Sequence, residues 1–197
     1  QCGAVAGVRT IKNPISLARK VMTETRHVLL AGEGAEKFAK SVGVELVENK
    51  HFDTEGRRRS LERLLRERKR TGSLVPKDRR YDYGTVGCVV LDRDGRLAAA
   101  TSTGGMTAKK WGRVGDTPIL GAGNYADNYA AISCTGTGEE FIRHAVARSV
   151  TARMAYGGQT LEAASAAVVH DVLKEGDGGL IAVDRDGNIA TPFNSSG

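Results

Sequence analysis

One tetrapeptide, present twice, constrains this chain more than any other feature. Asp92-Arg93-Asp94-Gly95 and Asp184-Arg185-Asp186-Gly187 each interrupt a pair of short apolar runs. Asp-Gly supplies the positive-φ residue that a tight hairpin requires. The first turn joins residues 86–91 to 97–101, and the second joins 180–183 to 189–191. Between them lie a Gly-rich irregular stretch, 102–138, and two helical patterns. The first pattern spans 139–156, with Phe141, Ala145, Val146, Val150 and Met154 as its apolar stripe and Gly157 as its stop. The second starts at Thr160 as cap and runs through Leu161, Ala164, Val168 and Leu173 to Gly176. Strands, irregular loops and helices in this order predict sheets covered by helices, an α+β class.

Upstream the elements are shorter. Residues 1–11 read as a small-residue strand entered midway, and without an initiator Met the chain reads as a fragment. Asn13-Pro14 starts a helix, with Asn as cap and Pro at the first helical position. Ile15, Ala18 and Met22 are its predicted apolar face, and residues 28–31 a short buried strand. Gly32-Glu33-Gly34 leads into another helix through Phe38 that ends near Gly43. Residues 51–80 carry no sustained strand pattern; 60–70 form a partial helix, with Leu61, Leu64 and Leu65 on one side, which Thr71-Gly72-Ser73 and Pro76-Lys77-Asp78 break. Such a stretch predicts a mobile linker.

At 197 residues, 40% of them hydrophobic, the chain is long enough for a core and has the composition of a soluble globular protein. No stretch approaches a membrane span, and no signal peptide opens it. Cys2, Cys88 and Cys134 are odd in number and widely spaced, which predicts free thiols and a reducing, cytoplasmic setting. The net charge of +6 has a local source. Residues 57–80 hold eleven Lys or Arg against three acids, and the rest of the chain is slightly acidic. A basic segment of this density is the footprint of a nucleic-acid binder, but only Tyr81 and Tyr83 stand by it for stacking.

The candidate chemistry lies in four clusters. Tyr83-Gly84-Thr85-Val86-Gly87 sits where the basic run meets the first strand. Were the Gly84–Thr85 bond cut, Thr85 would carry a hydroxyl nucleophile beside a free α-amine, whose unperturbed pKa of about 7.7–8.0 suits a general base. The other clusters are Ala100-Thr101-Ser102-Thr103-Gly104-Gly105-Met106, Gly112-Arg113-Val114-Gly115-Asp116-Thr117-Pro118 and Ser133-Cys134-Thr135-Gly136-Thr137-Gly138-Glu139. Each also has a plain reading: a strand end, a surface ion pair, a helix cap. A phosphate loop at the last is disfavoured, because the spacing and the Lys of that motif are missing.

Taken together and in order, TVG at 85–87, TSTGGM at 101–106, GRVGD at 112–116, GAGNYAD at 121–127 and CTGTGE at 134–139 resemble the plant-type asparaginases. These are the L-asparaginase/isoaspartyl peptidase (β-aspartyl peptidase) branch of the N-terminal-nucleophile (Ntn) hydrolases. The likeness covers 85–197 and extends more loosely upstream through GAVAGV at 3–8, Asn13-Pro14 and GEGAEKFA at 32–39.

The resemblance implies a single αββα Ntn-hydrolase domain over 1–197. It would be made as a precursor and cut by itself at Gly84–Thr85 into an α part, 1–84, and a β part, 85–197, with 51–83 as the flexible basic tail of the α part. It implies Thr85 as nucleophile, Thr103 as the residue tuning its hydroxyl, and Thr135 with the Gly136 N–H as oxyanion hole. Arg113 would hold the substrate α-carboxylate, and Asp116 with the Gly138 carbonyl the α-ammonium. Substrates would be L-asparagine and β-aspartyl dipeptides. No metal or cofactor takes part in the chemistry, no nucleic acid or membrane is a partner, and two αβ units pair as a homodimer. Measured against the family the chain reads as truncated at both ends. An N-terminal strand with its glycine-rich turn, two helices, an active-site Asn and a structural sodium loop would precede Gln1, and a C-terminal tail would follow Gly197. The rival readings are a glycosylasparaginase-like enzyme, which would carry Asp rather than Gly84 before the Thr, a threonine-aspartase-like protease, an inactive truncated relative, and a nucleic-acid binder using 57–80.

Overall fold

The computed structural model describes residues 1–72 and 84–195. The turn residues Pro76-Lys77-Asp78 and the end of the expected linker lie outside them. Helices and sheets are mixed, and the chain divides into two units: Gln1–Gly84 with Gly105–Val114, and Thr85–Gly104 with Gly115–Gly197.

In the first unit, β1 (Ala4–Ala6) pairs in parallel with β2 (Leu29–Ala31) through the crossover helix α1 (Pro14–Glu24). Pro14 does open α1, but the Asn13 side chain makes no capping bond; its backbone carbonyl accepts the Ser16 and Leu17 N–H groups instead. The buried face of α1 is Leu17, Ala18 and Val21, and Ile15 is exposed. The expected face was rotated by about one position because Ile15 lies in the first turn, ahead of the packed surface. The strand expected at 28–31 forms but is not buried: Val28, Leu29 and Ala31 are exposed and Leu30 is only partly covered. Helix α2 (Gly32–Ser41) buries Ala35 and Ala39, and a small core forms around Ile11, Leu17 and Ala39.

The helix expected over 60–70 is longer. After a single 3-10 turn, Asn49–Phe52, α3 spans Glu55–Thr71. The Thr54 side chain accepts the Arg57 N–H at its start, and Gly72 ends it in the left-handed conformation. Only Leu64 of its side chains is buried. Arg59–Glu55 and Arg66–Glu62 pairs four residues apart, with Arg58–Asp53, support a helix that has almost no apolar face.

The second unit is built on strands. The first hairpin is β3 (Val86–Leu91) with β4 (Leu97–Ser102), in the expected register around Asp92–Gly95. A four-stranded antiparallel sheet runs in the order β5 (Asn124–Ala126), β6 (Ala130–Gly136), β7 (Gly178–Asp184), β8 (Ile189–Ala190). Strands β5 and β6 correct the reading of 102–138 as irregular throughout. Their turn, Asp127 to Tyr129, is closed by the Asp127 carboxylate accepting the Tyr129 and Ala130 N–H groups.

The hairpin packs on one face of this sheet, chiefly over β6, and helices pack on the other. The helical region expected as one element over 139–156 is two, α4 (Gly138–Arg143) and α5 (Val146–Gly157). Ala145 between them takes a left-handed φ of 45° and is exposed, so the stripe passes from Phe141 directly to Val146. Helix α6 (Leu161–Ala167) starts as expected with the Thr160 side chain accepting the Ala163 N–H. It loosens into a π turn, Val168–Val172, and stops short of Gly176. Ile132, Cys134, Leu180 and Ala182 on the sheet meet Phe141, Val146, Val150, Leu161, Ala164 and Val168 on the helices in one buried core. Burial of such side chains contributes roughly 1.5–3 kcal/mol each. Among the described residues no helix is long and apolar enough to cross a membrane.

Candidate active site

Strand alternation decides which side chains can meet at the hairpin's open end. Val86 pairs with Ser102 and Gly87 with Thr101, so Thr85 and Thr103 sit directly opposite one step beyond the last pair. Thr85 Oγ1 donates to Thr103 Oγ1 at 3.1 Å. Both side chains lie on the face that Gly87 and Thr101 turn towards the four-stranded sheet, two residues along each strand. The sheet answers from β6. Ile132 and Cys134 belong to the helix-side core, so Ser133 and Thr135 face the hairpin.

The strand end that carries Thr135 is held by an unusually close backbone approach. A Cβ on Gly136 would fall 2.0 Å from the Asp177 carbonyl oxygen, and one on Gly178, its register partner, 2.2 Å from the Thr135 carbonyl oxygen. Neither position accepts a side chain without the strands separating. The Thr137 N–H donates to the Asp177 carbonyl at 2.7 Å just beyond, and Gly138 is the first residue of α4. Thr135 and Gly136 thus sit on rigid backbone at the sheet's end, partly open to solvent.

Asp116 is buried and reaches the same strand by another route. Its carbonyl accepts the Ile119 N–H and lies where a Cβ on Gly123 would fall, while the Gly123 carbonyl accepts the Cys134 N–H at 2.8 Å. The Asp116 loop is therefore tied to β6 one residue from Thr135. Burial first, and the Asp116 charge second, push the Cys134 thiol well above its usual range.

The second unit thus brings together Thr85 and Thr103 by direct contact, and carries Thr135, Gly136, Gly138 and Asp116 on β6, its following helix and the loop tied to it. Gly84 and Arg113 belong to the first unit. There the Arg57 guanidinium rests against Gly84. Arg113 stands by Lys109, whose ammonium is held below the usual lysine range, first by desolvation and then by the Arg113 charge. Among the described residues no three His, Cys, Asp or Glu side chains gather as a metal site. Sequence reasoning gave no role to Thr101 or Ser133, whose hydroxyls meet at 2.7 Å beneath Thr85. Their signal was the i, i+2 spacing from Thr103 and Thr135, which places each on the same strand face as a site residue.

In the second unit, then, a hydroxyl pair at the open end of a hairpin lies on the face turned to the strand that ends in Thr135 and Gly136. The family model described as Asparaginase matches residues 1–197, and the chain belongs to that family. It is 50% identical to the isoaspartyl peptidase of Escherichia coli (strain K12), with all of this chain and 63% of that protein covered. It is 42% identical to the plant-type L-asparaginase of Pyrococcus abyssi (strain GE5 / Orsay), covering 99% of this chain and 66% of that protein. It is 43% identical to the isoaspartyl peptidase/L-asparaginase of Mus musculus, covering 98% and 59%. The chain thus spans less than two thirds of the length of these curated relatives, 59–66% of each.

Proposed function

We propose that this chain carries the machinery of a self-activating threonine amidohydrolase that cleaves L-asparagine and β-aspartyl dipeptides. The observation that carries the reading is the 3.1 Å hydrogen bond from Thr85 to Thr103, made on the hairpin face opposite the strand that ends in Thr135 and Gly136. The family's named substrates support the choice of bond.

In activation, Thr85 Oγ attacks the Gly84 carbonyl, and the peptide nitrogen leaves as the Thr85 α-amine. Water then opens the ester and frees the Gly84 carboxylate. In turnover the α-amine accepts the Thr85 hydroxyl proton as Oγ attacks the substrate's side-chain carbonyl. The Thr135 hydroxyl and Gly136 N–H donate to the resulting oxyanion; donors of this kind are worth about 2.7–4 kcal/mol of barrier each. Collapse passes the proton to the leaving amine, releasing ammonia or an amino acid, and water hydrolyses the β-aspartyl ester to restore Thr85. Thr103 orients the nucleophile's oxygen. Arg113 takes the substrate α-carboxylate through its planar fork, and Asp116 with the Gly138 carbonyl takes the α-ammonium.

Every proton and electron pair in this scheme is handled by protein groups and water, so it calls on no cofactor. The remaining family features go with the same reading: an αββα sandwich with 1–84 and 85–197 as its two parts, a pair of αβ units, and work in the cytoplasm. The test is hydrolysis of L-asparagine and of a β-aspartyl dipeptide by purified protein, wild type against Thr85→Ala. Release of aspartate by the first only is expected, with ammonia from asparagine and the second amino acid from the dipeptide; equal rates would remove Thr85 from the reaction.

A further inference from the structure

The buried hydroxyl pair below the nucleophile has no place in that scheme, and its position suggests one. Thr101 on β4 is 8% exposed and Ser133 on β6 is 3% exposed. Their oxygens lie 2.7 Å apart, and Thr101 Oγ1 also donates to the Gly123 carbonyl at 3.3 Å. With that proton committed, Ser133 must donate to Thr101. The Gly123 carbonyl also accepts the Cys134 N–H from β6. A chain of hydrogen bonds thus runs from β6 to the hairpin and back to β6.

What this chain joins is particular. Thr101 is two residues from Thr103 on one strand and pairs with Gly87, two residues from Thr85, on the other. Ser133 is two residues from Thr135 on the same face of β6. The hairpin and the sheet otherwise meet here across a glycine: a Cβ at Gly87 would fall 2.2 Å from Ser133 Oγ. Apolar packing alone slides easily, whereas a hydroxyl bridge has one short distance and one direction. Reacting groups misplaced by about 1 Å can lose about a hundredfold in rate.

Resting on the Proposed function, we infer that Thr101 and Ser133 are positioning residues: their buried bridge sets the separation between the Thr85 nucleophile and the oxyanion donors on β6. Neither touches substrate. The bridge acts on the transition state, where that separation matters, and scarcely on ground-state binding, which lies with Arg113 and Asp116.

The experiment compares steady-state hydrolysis of a β-aspartyl dipeptide by wild type, Thr101→Val, Thr101→Ser and Ser133→Ala, with melting curves for each. Thr101→Val keeps the shape and loses the hydroxyl; its kcat should fall about 10- to 100-fold with KM changed less than about threefold. Thr101→Ser, which keeps the oxygen, should recover most of that kcat. Ser133→Ala should show the same kcat-specific loss, and it decides alone should Thr101→Val fail to fold. Folded variants with kcat within twofold of wild type, or a loss that appears in KM alone, would overturn the inference and leave the function standing. A wild type that hydrolyses nothing would overturn the function on which it rests.

Discussion

The two Asp-Arg-Asp-Gly hairpins share one turn and differ in everything built on it. In both, the first Asp accepts the N–H groups two and four residues on: Asp94 and Arg96 from Asp92, and Asp186 and Asn188 from Asp184. In both, the Gly is left-handed, with φ of 75° and 82°. Yet β3 is half open along its length, and β7 is buried at six of its seven residues. β7 lies within a four-stranded sheet that carries helices on one face and the first hairpin on the other. Among the described residues β3 has only β4 beside it in its sheet, and its open end presents Thr85. Four residues set the turn; what packs on the strands decides whether a hairpin is a wall or a platform. On the proposed function the first hairpin is the platform for chemistry, and the second is part of the wall it stands on.

The sharpest way to break that contrast is to alter each hairpin and read activity and stability separately. Thr85→Ala should lower hydrolysis by at least about a thousandfold and leave the melting temperature within a degree or two, by about the margin of a surface change. Leu180→Ala, in β7, should do the opposite. Leu180 is 4% exposed in the helix-side core, and its truncation should cost roughly 2–5 kcal/mol in denaturant unfolding, with kcat per folded molecule little changed. Val90→Ala in β3, where the side chain is 44% exposed, should cost under about 1 kcal/mol. Equal costs at the two sites would erase the distinction.

The turns sharpen it further. Asp184 is buried and also accepts from the Asn188 side chain at 2.8 Å. Asp184→Ala strands those donors and should cost roughly 1–3 kcal/mol, while Asp92→Ala, at a half-open turn, should cost about 1 kcal/mol or less. The smallest effect is chemical. Cys88 lies on the exposed face of β3, and Cys134 is buried in β6. Because burial and the Asp116 charge raise the Cys134 thiol's pKa, its thiolate is suppressed in the folded state at pH 7 and at pH 9 alike. Alkylation followed by mass spectrometry should therefore label the exposed Cys88 in the folded protein and reach Cys134 only on unfolding.

The sequence disclosed most where structure is local. The β3–β4 turn and register, Pro14 at a helix start, and the Thr160 cap all follow from residues within a few positions of each other. It misled where tertiary packing decides. Residues 130–134, Ala-Ala-Ile-Ser-Cys, are too short and too small to announce a strand, yet they form the centre of the sheet because β5 and β7 flank them. The break at Ala145 carries no Pro or Gly to mark it. The Arg-rich helix has too few apolar residues to show a full-length amphipathic stripe; the Thr54 cap, the ion pairs along it and the left-handed Gly72 at its end go with its length. At the site, Thr85, Thr103 and Thr135 were legible as motif residues. The Thr101–Ser133 bridge was not, because a contact between residues 32 apart leaves no local trace.

The most direct test of the account is N-terminal sequencing of purified, catalytically active protein. A new chain beginning Thr-Val-Gly-Cys, released from Gly84 in the wild type and missing from Thr85→Ala, is the expected result. Full hydrolytic activity in a preparation whose Gly84–Thr85 bond is still intact would contradict it.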